Sequence, residues 1–248
     1  MTFALGARGI HGVVLDIEGT TTPIAYVYDV LFPYARSHLR GFLDAHFAGS
    51  ELDEAARLLR AEWEDDAARA ENPPDWRDME RDAHLACLGD YAMWLMERDR
   101  KSRGLKLLQG MIWAEGYADG TLHGEVFPDV PAALERWHRA RLAVAIYSSG
   151  SVQAQESLFS TTPAGDLTRY IGYFFDTEVG PKRSSESYRR ISRSLDVPGR
   201  ELLFISDVGA ELEAARGAEF QTLLCVRPGN SVEISRDDEV ISTFDDLA

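Results

Sequence analysis

Short apolar runs that stop at acidic or hydroxyl residues mark this chain, and between them lie stretches with helical spacing. The first run, IHGVVL at 10–15, ends at Asp16 and passes into the turn-prone EGTTTP. A run of that length and composition predicts a buried strand. From about residue 24 to about residue 118 no comparable β-branched run occurs, and the apolar positions keep a helical period. Leu52, Ala56, Leu59, Trp63, Ala67 and Ala70 recur at intervals of three and four. That spacing places them on one helical face and turns Glu62, Glu64, Asp65 and Asp66 mostly outward. Pro73 and Pro74 are expected to stop this helix. Leu85, Leu88, Ala92, Leu95 and Met96 predict a second helix, and Leu105, Leu108 and Ile112 a third.

Strand signals return after Pro128 and Pro131. Helices are predicted over 132–139, 151–159, 184–195 and 210–217, and strands over 142–147, 171–175, 201–205 and 222–226. Strict alternation of strand and helix predicts an α/β fold, a parallel sheet with crossover helices on its faces. The first strand precedes the helical stretch and the others follow it. The sheet domain is therefore expected to be discontinuous, built from 1–22 and 125–248, with 23–124 as an inserted all-helical cap over it. No internal repeat or low-complexity tract is present.

Composition narrows the function. The 248 residues include 26 Lys+Arg against 41 Asp+Glu, a formal charge of −15. Residues 51–100, inside the helical stretch, hold 15 acids against 7 bases and so carry over half of that excess, as expected of a solvated face. Nucleic-acid binding depends on Lys and Arg neutralising phosphates, so no nucleic-acid partner is expected. No run approaches a membrane span, and the N-terminus lacks the pattern of a signal peptide, so a cytoplasmic protein without a membrane partner is expected. Cys87 and Cys225 stand in apolar contexts and are expected to be free thiols. The six histidines show no metal-ligand spacing. Most of the five tryptophans fall in the insert or near its edge and are expected to anchor cores. For Tyr26 and Tyr28, close behind the first strand, facing the site and packing away from it are both open.

Ligands of an open parallel sheet bind at the carboxyl ends of its strands. Four such places carry polar groups. Asp16 and Glu18 follow the first strand at i and i+2, on one side of an extended chain. Ser148, Ser149, Gly150 and Ser151 follow the second and open a helix, where free N–H groups hold anions. Lys182 precedes the helix after the third strand, and Ser206, Asp207 and then Glu211 follow the fourth. Taken singly, these are ordinary turn residues, helix caps or a surface lysine.

Together they suit phosphoryl transfer. An Asp carboxylate that attacks phosphorus splits one hard displacement into two easier ones. Two anions must meet, so Mg²⁺ is needed between them, with Asp16 and Asp207 as carboxylate donors. Glu18 can protonate the leaving oxygen and then activate water. Lys182, a Ser hydroxyl and backbone N–H groups can hold the equatorial oxygens. The implied partner is a small-molecule phosphate ester. Two rivals remain: a phosphatase for another small ester, and a signalling module that merely accepts phosphate.

These residues resemble the haloacid dehalogenase superfamily of phosphotransferases, whose four motifs occur in this order. More narrowly, the chain resembles the enolase-phosphatase family of methionine salvage. The likeness runs through LDIEGTTTPIAYVYDVLFPYA at 15–35, DRKSRGLKLLQGMIW at 99–113, IYSSGSVQAQ at 146–155, FDTEVGPKRSSESYRRI at 175–191, ISDVGAELEAA at 205–215 and VRPGN at 226–230. The superfamily usually has Asp where this chain has Glu18, a departure shared with that family.

The resemblance implies a Rossmann-like core with a helical cap. It implies Asp16 as nucleophile and Mg²⁺ ligand, Asp207 as a further ligand, and position 18 reaching the metal through its backbone carbonyl. Glu18 is left for proton transfer, Ser148 and Ser149 for substrate binding, and Lys182 for phosphate. It implies one Mg²⁺ per subunit and a bifunctional reaction: enolisation of 2,3-diketo-5-methylthiopentyl-1-phosphate, then removal of the phosphate. A monomer is expected. In the insert, Asp99, Arg100, Lys101 and Gln109 match the family and are read as structural before substrate-binding.

Overall fold

The computed structural model describes residues 3–46, 50–76, 81–236 and 238–247. The chain divides into two compact units, Asp29–Asp119 on one side and Met1–Tyr28 with Gly120–Ala248 on the other.

The second of these is an α/β layer structure. Its strands are β1 (Gly12–Leu15), β2 (Ala143–Tyr147), β3 (Tyr173–Phe175), β4 (Leu202–Ser206), β5 (Gln221–Cys225) and β6 (Val240–Ile241). They form a six-stranded sheet in the order β3-β2-β1-β4-β5-β6, and every pairing is parallel. All four residues of β1 are buried, as a strand covered on both faces requires. The register aligns Leu15 with Ile146 on one side and Ile205 on the other, so β1, β2 and β4 end within one residue of each other. From β1 the chain order runs outward in both directions. The crevice that this reversal opens at the strand ends is where ligands bind in such sheets.

The ends of β1, β2 and β3 fall where the sequence reading puts them, and the boundaries that differ do so by a residue or two. Ile10 stays out of β1 because its N–H bonds to Leu5 O behind a 3₁₀ turn at Gly6–Arg8. A 3₁₀ turn at Thr168–Tyr170 likewise takes the N–H of Ile171 and delays β3. β6, absent from the sequence reading, has two residues, too few to show a period. Crossover helices α6 (Val130–Arg139), α7 (Val152–Ser160), α8 (Ser185–Leu195) and α9 (Gly209–Arg216) alternate with the strands, after α1 (Ile24–Tyr26) and α2 to α5 given below. The core packs Val14, Tyr147, Tyr188, Phe204 and Leu212 together. Cys225 is buried and free, its thiol pushed up to about 12 by burial, and Cys87 is free as well.

The helical unit holds α2 (Phe32–His46), α3 (Ser50–Ala68), α4 (Arg81–Glu97) and α5 (Arg103–Ala118). A π-turn at Val27–Leu31 leads into α2. Leu39, Leu59, Leu88, Tyr91 and Leu108 build a core of their own. Trp76 and Trp94 are buried here, and Trp137 is buried in the sheet unit. Two expectations are corrected. α3 ends at Ala68, before the prolines, because Ala70 and Asn72 turn left-handed with φ of 59° and 53°. Asp66 is not turned outward but buried: Tyr91 Oη donates to its Oδ2 at 2.8 Å and Arg100 to its Oδ1 at 2.8 Å. Glu62 also faces a partner. It accepts from the Ser102 hydroxyl and from the N–H groups of Arg103 and Gly104, so a carboxylate sits on the N-terminus of α5. Among the described residues no helix is long and apolar enough to cross a membrane.

Candidate active site

Asp16 follows β1 directly and stays anchored to the sheet, its N–H bonded to Ile205 O at 3.0 Å. Its carboxylate is buried. Oδ1 accepts from Ile17 N at 2.7 Å and from Lys182 Nζ at 2.6 Å, while Ser206 Oγ donates to Oδ2 at 3.2 Å. The loop that follows is tight, because Ile17 O accepts from the N–H groups of Thr20, Thr21 and Thr22. Gly19 sits in it at φ +71°, and a Cβ there would run into the Asp207 carboxylate and the Asn230 amide. Both the dihedral and the crowding call for glycine. Glu18 is exposed on this loop.

Two buried tyrosines aim the lysine. Tyr147 Oη donates to Gly180 O at 2.8 Å and Tyr188 Oη to Lys182 O at 2.8 Å, gripping the backbone on either side of Pro181. The ammonium meets Asp16 and, at 2.7 Å, Glu211 Oε2. Burial by itself lowers a lysine, but the two carboxylates outweigh it and hold Lys182 charged well above the usual lysine value. Ser206 Oγ is also 3.2 Å from Glu211 Oε2. A hydroxyl has one hydrogen, so its bonds to Asp16 and Glu211 are alternatives.

Burial and then the charge on Asp16 push the Asp207 carboxyl up to about 7. The same two causes raise Glu211. Asp207 is not the N-cap of α9; that position is Val208. Its Oδ2 accepts instead from Asn230 Nδ2 at 3.1 Å. Three carboxylates therefore share one ammonium in a partly desolvated pocket, which leaves negative charge for a cation to neutralise. Among the described residues no three His, Cys, Asp or Glu side chains converge as a metal-binding group. The hard oxygen donors of Asp16 and Asp207, beyond adjoining strand ends, suit Mg²⁺, which takes one or two carboxylates and completes its shell with phosphate oxygens and water.

Not every residue named from the sequence joins the cluster. Asp16 and Lys182 are in direct contact, and Asp207 lies next to them through Gly19 and Asn230. Ser148 and Ser149 follow β2 directly. Ser148 is buried with its Oγ accepting from Gly150 N at 3.1 Å, Ser149 is exposed, and the N-cap of α7 is Ser151. Tyr26 is buried, its hydroxyl donating to His123 O at 2.8 Å, while Tyr28 is exposed. Ser206, Glu211 and Asn230 complete the cluster but had no role assigned from sequence. Only the spacing of Glu211 four residues after Asp207 hinted at its place.

The class that such a fold and site define is the haloacid dehalogenase-like hydrolases, whose family model matches residues 10–219. Enolase-phosphatase E1 of Synechococcus elongatus is 47% identical over 238 residues, 96% of this chain and 98% of that protein. A protein of the same name from Pseudomonas aeruginosa is 44% identical over 90% of this chain and 84% of its own length. Among solved structures, the UTR4 protein of Saccharomyces cerevisiae matches with a TM-score of 0.74 at 30% identity, over 95% of this chain and 99% of that one. The chain belongs to that hydrolase family and, inside it, to the enolase-phosphatase E1 proteins.

Proposed function

We propose that this protein is a Mg²⁺-dependent enolase-phosphatase. It enolises 2,3-diketo-5-methylthiopentyl-1-phosphate, then removes the phosphate to leave 1,2-dihydroxy-3-keto-5-methylthiopentene, the acireductone of methionine salvage. The observation that carries this reading is the 2.6 Å contact of Lys182 with Asp16 at the end of β1, with Asp207 directly after β4.

Asp16 is the nucleophile. Its carboxylate oxygen bonds to phosphorus, the ester P–O bond breaks, and the leaving oxygen takes a proton; water then hydrolyses the aspartyl-phosphate. Lys182 and the hydroxyls of Ser148 and Ser149 hold the phosphate oxygens and the substrate. Asp16, Asp207 and the backbone carbonyl of Glu18 would hold the Mg²⁺. When bound it supplies charge neutralisation between the carboxylate and the phosphate. The Glu18 side chain, exposed on the loop that follows Asp16, moves protons in both halves of the reaction. The helical insert, read as 23–124 on a core of 1–22 and 125–248, acts as a cap that excludes water from the phosphoenzyme. Its insertion directly behind the nucleophile loop supports that role. The chain acts as a cytoplasmic monomer on a small-molecule ester.

The test follows phosphate release and enol absorbance from the diketo phosphate, with Mg²⁺ and with EDTA, beside sugar phosphates and phosphoglycolate. Enol formation followed by Mg²⁺-dependent phosphate release, selective for the diketone, is expected. Release from the other esters without enol formation would overturn the salvage assignment and keep the phosphatase. A Glu18→Gln variant with full enolisation would remove Glu18 from proton transfer.

A further inference from the structure

We infer that Asn230 is a positioning residue for this site, orienting Asp207 and the nucleophile loop for the cation; the inference rests on the reading of Asp207 as a Mg²⁺ ligand. Residues 227–230, RPGN, make a turn after β5. Asn230 N–H bonds to Arg227 O at 3.2 Å, Pro228 holds the second position, and Gly229 holds the third at φ +88°. Pro followed by a glycine of positive φ is the type II pattern. The turn fixes Arg227 and Asn230 as its two ends, and each end grips the nucleophile loop.

Arg227 is buried, with Phe127 and Phe244 rings 4.5 Å and 4.6 Å from its guanidinium. It donates to Asp129 Oδ2 at 2.8 Å, to Ser242 O at 3.0 Å and, through Nε, to Thr20 O at 3.0 Å. Asn230 Nδ2 donates to Gly19 O at 2.9 Å and to Asp207 Oδ2 at 3.1 Å. One amide nitrogen carries two hydrogens, and both are spent here. Two consecutive carbonyls, Gly19 and Thr20, are thereby held from one turn. The ladder between β1 and β4 ends at Leu15 and Ile205. Beyond it, Asn230 ties Gly19 to Asp207 across those two strand ends. By donating to Oδ2 it restrains the orientation of the Asp207 carboxylate. Its other bond, to Gly19 O, restrains the backbone next to the Glu18 carbonyl.

The test titrates metal-free wild type, Asn230→Ala, Asn230→Ser and Asp207→Asn with Mg²⁺ by calorimetry, and records metal-free melting curves. Partners of this kind are worth about tenfold to a hundredfold in metal affinity, so Asn230→Ala is expected to weaken Mg²⁺ binding by about tenfold or more. Asn230→Ser keeps one donor and is expected to fall between it and wild type, and it carries the test if the Ala variant does not fold. At saturating Mg²⁺ the KM for the phosphate ester is expected to hold. Equal Mg²⁺ affinity in wild type and both Asn230 variants, with affinity lost in Asp207→Asn, overturns the role of Asn230 alone. A lowered melting temperature with unchanged Mg²⁺ affinity overturns it too, since a merely structural bond behaves so. Unchanged affinity in Asp207→Asn overturns the underlying ligand reading instead.

Discussion

Replacing Asp207 with Asn is expected to stabilise the metal-free protein while abolishing phosphate turnover. In the folded state burial and the charge of Asp16 push this carboxyl from an ordinary 3.8 up to about 7. A gap of about three units, at about 1.4 kcal/mol each, bounds the penalty for keeping it ionised near 4 kcal/mol. The carboxyl is partly exposed, and solvent screening brings that to about 2 kcal/mol. Because the folded value lies above the unfolded one, the penalty is absent below 3.8, where both states carry the proton. It grows through the interval and is complete above about 7, so this group erodes stability as pH rises. Asn carries no charge and still offers a carbonyl to Asn230, so the variant loses no partner. For a chain of this size about 2 kcal/mol corresponds to a melting temperature higher by about 4–8 °C. The assay is thermal unfolding in EDTA at about pH 5 and about pH 8, with the gain larger at the higher pH. Mg²⁺ is then expected to raise the wild-type midpoint and leave the variant's alone. A variant that melts at or below wild type at the higher pH would refute the reasoning, because the cluster would then hold no excess negative charge.

Three further outcomes are expected. Lys182→Met leaves the Asp16 and Glu211 carboxylates buried without their shared cation and costs about 3–5 kcal/mol at neutral pH. Part of that returns in acid as Glu211, already raised, takes a proton, and equal denaturation midpoints for variant and wild type at neutral pH would contradict the pairing. Gly19→Ala forces a left-handed backbone on a side chain, at about 1–2 kcal/mol, and drives its Cβ into Asp207 and Asn230. Turnover is expected to collapse, and wild-type kinetics in this variant would sink the loop geometry. Tyr91→Phe strips one donor from buried Asp66 and is expected to destabilise the helical unit by about 1.5–3 kcal/mol, read as faster amide exchange in α3 and α4; unaltered exchange would count against it.

Local chemistry was legible from the chain alone. The apolar run that stops at Asp16, the alternation of strand and helix after Pro128, and the helical period of 52–70 are short-range patterns that depend on backbone geometry, and the fold class follows from them. That Asp16 and Asp207 stand close together was legible for a related reason: polar residues just after the apolar runs of a parallel sheet gather at one end of it, and Lys182 enters from the turn before the next helix. What the pattern missed is decided by partners distant in sequence. Helical period places Asp66 with the outward acids, yet Tyr91 and Arg100 arrive from other elements and make its burial affordable. Glu211 reads as one more acid on a helix until Lys182 meets it. Asn230 lies 211 residues from Gly19, and nothing in its neighbourhood announces that contact. A period reports which way a side chain faces within its own element. Only tertiary packing decides what stands opposite, and at this site that opposing charge and hydrogen bonding set which carboxylates stay ionised and where they point.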